Sequence, residues 1–190
     1  METIHLFDSY YFREATVEEF GPFFQEKRPV VFRDTMIPLE NWLSDEDRQK
    51  LNELFSLIKS RYALRIFIMS GDDIVGWHVG RQGDEEIYYM SNTGIFKEHQ
   101  GKRIYTAFLP KLLELLKEKG FQKIVSRHHA SNNSILVPKL KAGFQITGFE
   151  IDERFGVFVT LAYIFNQQRL NLYKYRTGAI RPDDEIMKYL

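Results

Sequence analysis

The sequence predicts a mixed α/β (α+β) domain in which a mostly antiparallel central sheet of about six or seven strands is flanked by helices. Three observations predict this fold. β-rich segments separated by tight turns follow residue 64, a long amphipathic helix comes next, and a strand, a short helix and a hairpin follow. A strand, a helix and a strand in this order imply a parallel pair joined by a right-handed crossover, so the sheet is mixed.

The amino-terminal part of the chain, residues 1–63, is predicted to contain a short opening strand and two helices. Thr16 can cap a first helix that extends to Lys27. Ser44 is followed three residues later by Asp47, an acidic variant of the capping box, and starts the second helix. The apolar residues of that helix recur at helical spacing and form one stripe: Leu51, Leu54, Phe55 and Ile58.

The central part of the chain is predicted to form most of the sheet. Segments 64–70, 74–82 and 86–96 alternate with turn residues and form an antiparallel meander. The helix after them carries leucines on one face and ends at Gly120. The later elements are a strand at 121–128, a helix at 131–142, and strands at 144–152 and 157–165. The length predicts one domain over 1–166, with its core at 64–166, and an irregular or short-helical extension at 167–190.

Composition excludes several classes of function. Lysine plus arginine total 26 and aspartate plus glutamate total 26, so the chain lacks the basic excess typical of nucleic-acid binding. The absence of cysteine excludes disulfides, thiolate nucleophiles and thiolate metal sites. The five histidines show no spacing typical of metal ligands, so we expect no metal.

The sequence also lacks the features that direct a protein to a membrane. The first ten residues contain Glu2, His5 and Asp8 where a secretory signal needs an apolar run. The longest nearly apolar stretch, 155–165, is far shorter than the roughly 20 residues that span a bilayer. We therefore expect no membrane association and a cytoplasmic protein.

Two segments indicate chemistry. Residues 95–105 read IFKEHQGKRIY and lead from a strand through a basic loop into a helix, where backbone amides and the helix dipole can bind a pyrophosphate. In the second segment, Asn132 lies eleven residues before Gly143-Phe144, with a short helix between them.

These two segments, in this order, resemble the GCN5-related N-acetyltransferase (GNAT) superfamily, and the resemblance covers about residues 64–165. It implies a single acyl-CoA-binding domain, with fourth and fifth strands that splay apart so that the pantetheine arm of acetyl-CoA, or of another acyl-CoA, pairs with the fourth. It implies cofactor contacts from Ile95, Phe96, Gln100, Gly101, Lys102, Arg103, Ile104, Tyr105 and Asn132.

The sequence departs from the family pattern at three positions. Arg103 and Tyr105 stand where the family usually has small residues, which limits how closely the backbone approaches phosphates. Lys139 occupies the position where many members place a tyrosine that protonates the leaving thiolate, and it is expected to face solvent or attract phosphates.

Candidate catalytic groups lie near the predicted opening of the sheet. His128 ends the fifth strand and is the candidate proton acceptor, the alternative being a structural histidine. His78 is expected to be structural, and Glu85 and Glu86 to be solvated. Gly94 either allows a bulge that opens the ladder or is an ordinary strand glycine.

The sequence therefore predicts an acyl-CoA-dependent N-acyltransferase that moves an acetyl group directly to a primary amine of a small molecule or peptide in a ternary complex. The alternative is a catalytically impaired module that binds acyl-CoA or a partner on the same scaffold. A homodimer is possible, because Tyr173, Tyr175 and Tyr189 can pack on the domain or on a second subunit.

Overall fold

The computed structural model describes residues 3–32, 43–56 and 61–188. The described residues form one eight-stranded sheet in the order β1-β2-β3-β4-β5-β6-β8-β7. The strands are β1 Thr3–Phe7, β2 Tyr10–Glu14, β3 Ala63–Ser70, β4 Asp73–Gln82, β5 Ile87–Ile95, β6 Lys123–His129, β7 Gln145–Asp152 and β8 Gly156–Ile164. The helices are α1 Val17–Val31, α2 Asp45–Ser56, α3 Ile104–Glu118, α4 Asn133–Lys141, α5 Gln167–Arg176 and α6 Asp184–Met187.

The predicted fold class is confirmed, and the expected strand count is too low at the amino terminus. The opening segment contains two strands, β1 and β2, that pair as an antiparallel hairpin. Asp8 turns the chain with a positive φ of 46°, a conformation that aspartate tolerates better than most side chains. Tyr10 and Phe12 are buried while the residues between and after them are less so, as the alternation of a strand requires.

The two amino-terminal helices begin where the sequence predicts. Thr16 caps α1 in a capping box: its hydroxyl accepts a hydrogen bond from the Glu19 amide, and the Glu19 carboxylate accepts one from the Thr16 amide. Ser44 accepts a hydrogen bond from the Asp47 amide at the start of α2. On α2, Leu51 and Leu54 are exposed, and the side chains of Phe55 and Ile58 fall outside the described part of the chain.

The sheet encloses apolar clusters on both of its faces. Along β3, Ile66 and Ile68 belong to a large cluster under α3, whereas Phe67 belongs to a second cluster that packs against α1. The side chains of Phe23 and Trp77 meet in this second cluster, with ring centroids 5.9 Å apart. Two helices on opposite faces thus hold the sheet between them.

β5 and β6 form a parallel pair over only a short stretch. Ile87 to Tyr89 pair with Lys123 to Val125, and no pairing between these strands follows among their described residues. The register between β4 and β5 shifts at Ser91, because Val79 faces Asn92 while Gly80 faces Met90. A bulge of this kind increases the local twist of the strand. The strands predicted as fourth and fifth are β5 and β6, because the amino-terminal hairpin adds one strand. They stop pairing after Tyr89, next to the bulge at Ser91, so the predicted splay is present.

Gly94 has a packing role and does not form the bulge. It pairs with Trp77 in the β4–β5 ladder, and an added Cβ would lie 2.4 Å from Trp77 Cζ2. The Trp77 side chain is fully buried, and its Nε1–H donates to Asn92 Oδ1 at 2.7 Å. The absence of a side chain at position 94 thus lets the indole lie flat against the strand.

The segment after β8 packs back onto the sheet. Asn166 caps α5 by accepting a hydrogen bond from the Arg169 amide. The Arg169 guanidinium binds both carboxylate oxygens of Glu86, at 2.7 and 2.9 Å, so Glu86 is half-buried and paired. The Tyr173 hydroxyl donates to the Ile146 carbonyl on β7. Tyr189 lies outside the described residues. Over the described ranges, each helix is too short or too polar to span a lipid bilayer.

We expect Gly94→Ala to destabilise the protein by about 2 kcal/mol, because the new methyl group overpacks a buried indole. Gly148→Ala is the matched control, since Gly148 is also a strand glycine and an added Cβ there meets open space. Urea unfolding of both variants measures the difference. Equal stability of the two variants would contradict this role of Gly94.

Candidate active site

The gap between β5 and β6 opens into two adjoining cavities. The loop cavity, of about 530 Å³, lies beside the loop before α3. The inner cavity, of about 360 Å³, lies between β5, β6 and α4. The two cavities share part of their walls, formed by Phe32, Thr93, Tyr105, Asn132 and Ile135. A long molecule could therefore enter along the loop and reach the inner cavity without crossing the sheet.

The loop before α3 and the first turn of that helix line the loop cavity. Gly101 and Arg103 both adopt left-handed conformations, with φ of 76° and 63°. Arg103 is the N-cap of α3 and makes no side-chain cap hydrogen bond, so the amides of the first turn lack that partner. The Gln100 side chain donates to the Ile95 carbonyl at 2.9 Å and closes the loop onto the end of β5. This arrangement fits a pyrophosphate at the start of α3.

The structure brings together most of the residues that the sequence singles out for the cofactor. The lining of the loop cavity includes Ile95, Gln100, Gly101, Arg103, Ile104, Tyr105 and Asn132. Two others lie elsewhere. The Phe96 ring packs against Trp77, with centroids 5.8 Å apart, and Lys102 lines a separate shallow depression together with Phe7. These two side chains do not face the loop cavity.

Lys139 is buried, so the expectation that it faces solvent or attracts phosphates is wrong. Its side chain is 1% exposed and lines the inner cavity. The ammonium donates to Ser126 Oγ at 2.6 Å and to Met90 Sδ at 3.3 Å, and lies 4.8 Å from the centroid of the Phe144 ring. Burial lowers the pKa of Lys139 to about 7.

The burial of Lys139 follows from the orientation of α4. Leu136 and Lys139 are three residues apart and therefore share the face of the helix that packs on the sheet. Leu140 and Lys141 follow on the exposed face. The helical spacing from Leu136 is the sequence signal for this orientation, although a lysine at such a position is ordinarily taken as exposed.

His128 is connected to Lys139 through a buried serine that sequence reasoning missed. His128 Nε2 and Ser126 Oγ lie 3.1 Å apart, and Ser126 is fully buried. Burial, and then the charge of Lys139, lower the pKa of His128 to about 3. The imidazole is therefore neutral near neutral pH, and three polar side chains from β6 and α4 form one hydrogen-bonded chain beside the inner cavity.

His78 lies in the core beneath the cavities. Its ring nitrogens bond to Thr93 Oγ1 at 2.8 Å and to the Tyr88 hydroxyl at 2.9 Å. Burial, and then the charge of Lys139, lower its pKa to about 3. Gly80 makes room for this network, because an added Cβ would lie 2.1 Å from the Tyr88 hydroxyl oxygen. His78 thus holds β4 and β5 together as a neutral side chain.

The described residues contain no cluster of three or more histidine, aspartate or glutamate side chains that could hold a metal ion. The chemistry of this site, as far as the described residues supply it, comes from backbone amides, the Lys139–Ser126–His128 chain and the cations around the inner cavity.

The described residues form a mixed α/β domain with two adjoining cavities beside two diverging strands. The chain belongs to the acetyltransferase (GNAT) family, whose family model matches residues 13–144. The resemblance seen in the sequence is thereby confirmed. No curated protein matches the chain.

Solved structures with the same fold are distant in sequence. RimL, a ribosomal L7/L12 alpha-N-protein acetyltransferase in complex with coenzyme A, superposes with a TM-score of 0.63 at 14% identity, covering 86% of this chain and 98% of that one. The ribosomal-protein-S5-alanine acetyltransferase from Vibrio fischeri superposes with a TM-score of 0.63 at 14% identity, covering 88% of this chain and 98% of that one. A GNAT family acetyltransferase from Elizabethkingia anophelis with acetyl-CoA bound superposes with a TM-score of 0.57 at 16% identity, covering 84% of this chain and 100% of that one.

We expect Lys139→Met to stabilise the protein near neutral pH. In the folded protein the pKa of Lys139 is about 7, and its ordinary value is 10.5. Between these two pH values the unfolded chain binds one more proton than the folded chain. The stability of the wild type therefore rises with pH in this range. Each pKa unit corresponds to about 1.4 kcal/mol, so the variant should gain a few kcal/mol over the wild type at about pH 6.5. This gain should shrink towards about pH 9.5.

The control for this comparison is Lys141→Met, which changes an exposed lysine on the same helix. Urea unfolding of the wild type and both variants at the two pH values gives the differences. A pH-independent effect of Lys139→Met, or an equal effect of Lys141→Met, would show that burial of the ammonium does not govern this part of the stability.

Proposed function

We propose that the protein is an acyl-CoA-dependent N-acyltransferase that transfers the acetyl group of acetyl-CoA directly to a primary amine in a ternary complex. One observation carries the proposal: two adjoining cavities extend from the uncapped start of α3 to the Lys139–Ser126–His128 chain. Membership of the acetyltransferase (GNAT) family supports it. So do the structural neighbours that hold coenzyme A or acetyl-CoA, one of which acts on the alpha-amine of a ribosomal protein.

The residues present fit acetyl-CoA as the donor. The first-turn amides of α3 and the Arg103 guanidinium would hold the phosphates. The backbone of β5 beyond Tyr89, left unpaired on its β6 side, would hold the pantetheine arm, and Asn132 lines the same cavity. Acetyl-CoA, when bound, supplies the thioester carbonyl that an amine attacks.

In this proposal His128 accepts the proton of the attacking amine. The imidazole is neutral near neutral pH because its pKa is about 3, so it has a free lone pair. A base with so low a pKa is weak, and the amine must therefore enter the cavity largely uncharged. Positive charge on Lys139 favours the uncharged form of a nearby amine.

Lys139 is the group that can return a proton to a departing thiolate. Its pKa of about 7 leaves a substantial fraction protonated at neutral pH, and a proton held at Nζ is released more readily than from an ordinary lysine. Ser126 joins Lys139 to His128, so a proton gained at the imidazole can replace the one given up by the ammonium. The proton taken from the amine and the one supplied to the sulfur then balance.

A second candidate function is an acyl-CoA-binding or partner-binding module without turnover. The observation that favours it is the position of Tyr105, a bulky side chain in the wall shared by the two cavities, where the family usually has a small residue. A titration with acetyl-CoA and a mass-spectrometric assay over a panel of amines separate the two. Binding with product formation supports the enzyme, and binding without any product supports the module.

The absence of cysteine is compatible with the reducing cytoplasm, where we place the protein. A homodimer is compatible with the exposed apolar residues of β7, among which Phe149 and Ile151 are 73% and 86% exposed.

We expect Gly101→Ala to weaken acetyl-CoA binding by about tenfold, equivalent to about 1.4 kcal/mol. An L-residue at φ of 76° is strained, and relief of that strain turns the loop amides away from the phosphates. Gly178→Ala is the matched control, because Gly178 has a φ of 74°, also meets no atoms within 4 Å, and lies outside both cavities. Calorimetric titration measures both. Equal affinity of the two variants for acetyl-CoA would contradict the assignment of this loop.

We expect Lys139→Met to lower kcat by about 100-fold or more. Wild-type kcat should fall as the pH rises through about 7, because the donor loses its proton, and the variant should lack this fall. His128→Gln keeps a partner for Ser126 without accepting a proton, and should lower kcat similarly. Lys141→Met is the control. Unchanged kcat with an unchanged pH profile in Lys139→Met would remove Lys139 from the mechanism.

A further inference from the structure

The inner cavity concentrates positive charge. Two arginines and one lysine line it, each from a different element: Arg28 from α1, Arg127 from β6 and Lys139 from α4. His128 and His129 lie beside them. Among the described residues that line this cavity there is no aspartate or glutamate. Three cations that converge on about 360 Å³ make a space suited to an anion.

Arg127 is held in a fixed position. Its Nε donates to the Tyr89 hydroxyl at 3.0 Å, and its Nη1 bonds to Glu150 at 2.6 Å. The guanidinium also lies 5.5 Å from the centroid of the Phe158 ring. Because a guanidinium carries five N–H donors, these contacts leave donors for a ligand. Glu150 offsets part of the charge of Arg127 but does not line the cavity.

Arg28 has no carboxylate partner in the part of the chain that the structure describes. Arg28 is half-buried, and its guanidinium lies 5.8 Å from the centroid of the Phe24 ring. A guanidinium that is partly removed from water without an ion pair binds a carboxylate strongly, through two parallel hydrogen bonds. Arg28 is thus the cation most available to a ligand in the inner cavity.

The charge of the cavity also selects among amines. A polyamine or an aminoglycoside brings further ammonium groups, which meet like charges in a partly desolvated space. An amine that carries its own anion avoids this repulsion, while its amino group still loses its proton more readily near Lys139.

Part of the remaining wall is aromatic. Phe32, Tyr89, Phe155 and Phe158 line the same cavity, and the His129 ring packs on Phe158 with centroids 5.1 Å apart. Such a surface buries an apolar or aromatic group effectively. The volume is near the lower end of ligand cavities, about 300–1,000 Å³, and suits a molecule of amino-acid size.

We infer that the acceptor is an amine that also carries a carboxylate, of the size of a free amino acid with an apolar or aromatic side chain, and that Arg28 and Arg127 bind its carboxylate. This inference rests on the proposed acyltransferase function and names the substrate class of that site.

The test compares each standard L-amino acid with its own α-carboxamide, and both with spermidine, as acceptors of acetyl-CoA. The carboxamide has nearly the same shape and a more acidic ammonium, so the chemical step alone favours the amide. We expect the free acids with apolar or aromatic side chains to be acetylated with kcat/KM at least tenfold above their amides, and spermidine to be poor. Amides or spermidine acetylated as well as the free acids would overturn the inference.

Arg28→Met tests the assigned contact. We expect it to reduce the preference for acid over amide at least tenfold while the affinity for acetyl-CoA stays unchanged. Lys27→Met is the matched control, since Lys27 is the neighbouring cation on α1, pairs with Glu26 and does not line the cavity. A preference that survives Arg28→Met, or that falls equally in Lys27→Met, contradicts the assignment.

A binding measurement separates this inference from the proposed function. L-phenylalanine and L-phenylalaninamide are titrated calorimetrically into the protein, alone and with coenzyme A present. Tighter binding of the acid, lost in Arg28→Met, supports the inference even if no acetyl group is transferred. Equal binding of acid and amide overturns it, even if acetyl-CoA binds. Failure of acetyl-CoA to bind overturns the proposed function alone.

Discussion

The parallel ladder between β5 and β6 ends after three residues on each strand, and the rest of the site depends on this early end. A continuous ladder would satisfy the backbone of β5 on both sides and fill the gap with neighbouring side chains. The bulge at Ser91 in β5 increases the local twist next to the last paired residue, Tyr89, so the strands diverge. The divergence creates a space that the loop before α3 and the helix α4 both line.

The opened sheet places polar groups where a closed sheet would have an apolar core. Ser126 and Lys139 are fully buried, and His128 is half-buried beside them. Burying an ammonium group costs stability, and the cost here is reduced by a hydrogen bond to Ser126 and by the face of the Phe144 ring. A buried titratable group beside a cavity is typical of functional positions.

Sequence patterns predicted most of the fold because they report local physics. Turn residues and alternation located β3, β4 and β5, and caps located the starts of α1 and α2. The β1–β2 hairpin was not predicted, because Asp8, and not glycine, occupies its left-handed turn position. The bulge at Ser91 has no local sequence signal, since it arises from the register between two strands.

The site was predicted where it depends on backbone and missed where it depends on packing. The loop at 100–105, apart from Lys102, and Asn132 line one cavity, as the sequence predicts, and their contact with a cofactor stays a prediction. Lys139 was misplaced because the preference of lysine for solvent was weighed above its helical spacing from Leu136. Ser126 and Arg28 were missed, because a serine within a strand and an arginine within a helix become informative only when distant elements surround them.

Hydrogen–deuterium exchange with and without acetyl-CoA tests most directly whether the gap beside β5 is the binding cleft. The β5 amides beyond Tyr89 that point away from β4, and the first turn of α3, should exchange readily in the free protein, because these amides lack backbone partners. Acetyl-CoA should slow exchange in these two segments and leave β1 to β3 unchanged. Slowed exchange elsewhere, with none in β5 or at the start of α3, would contradict the account.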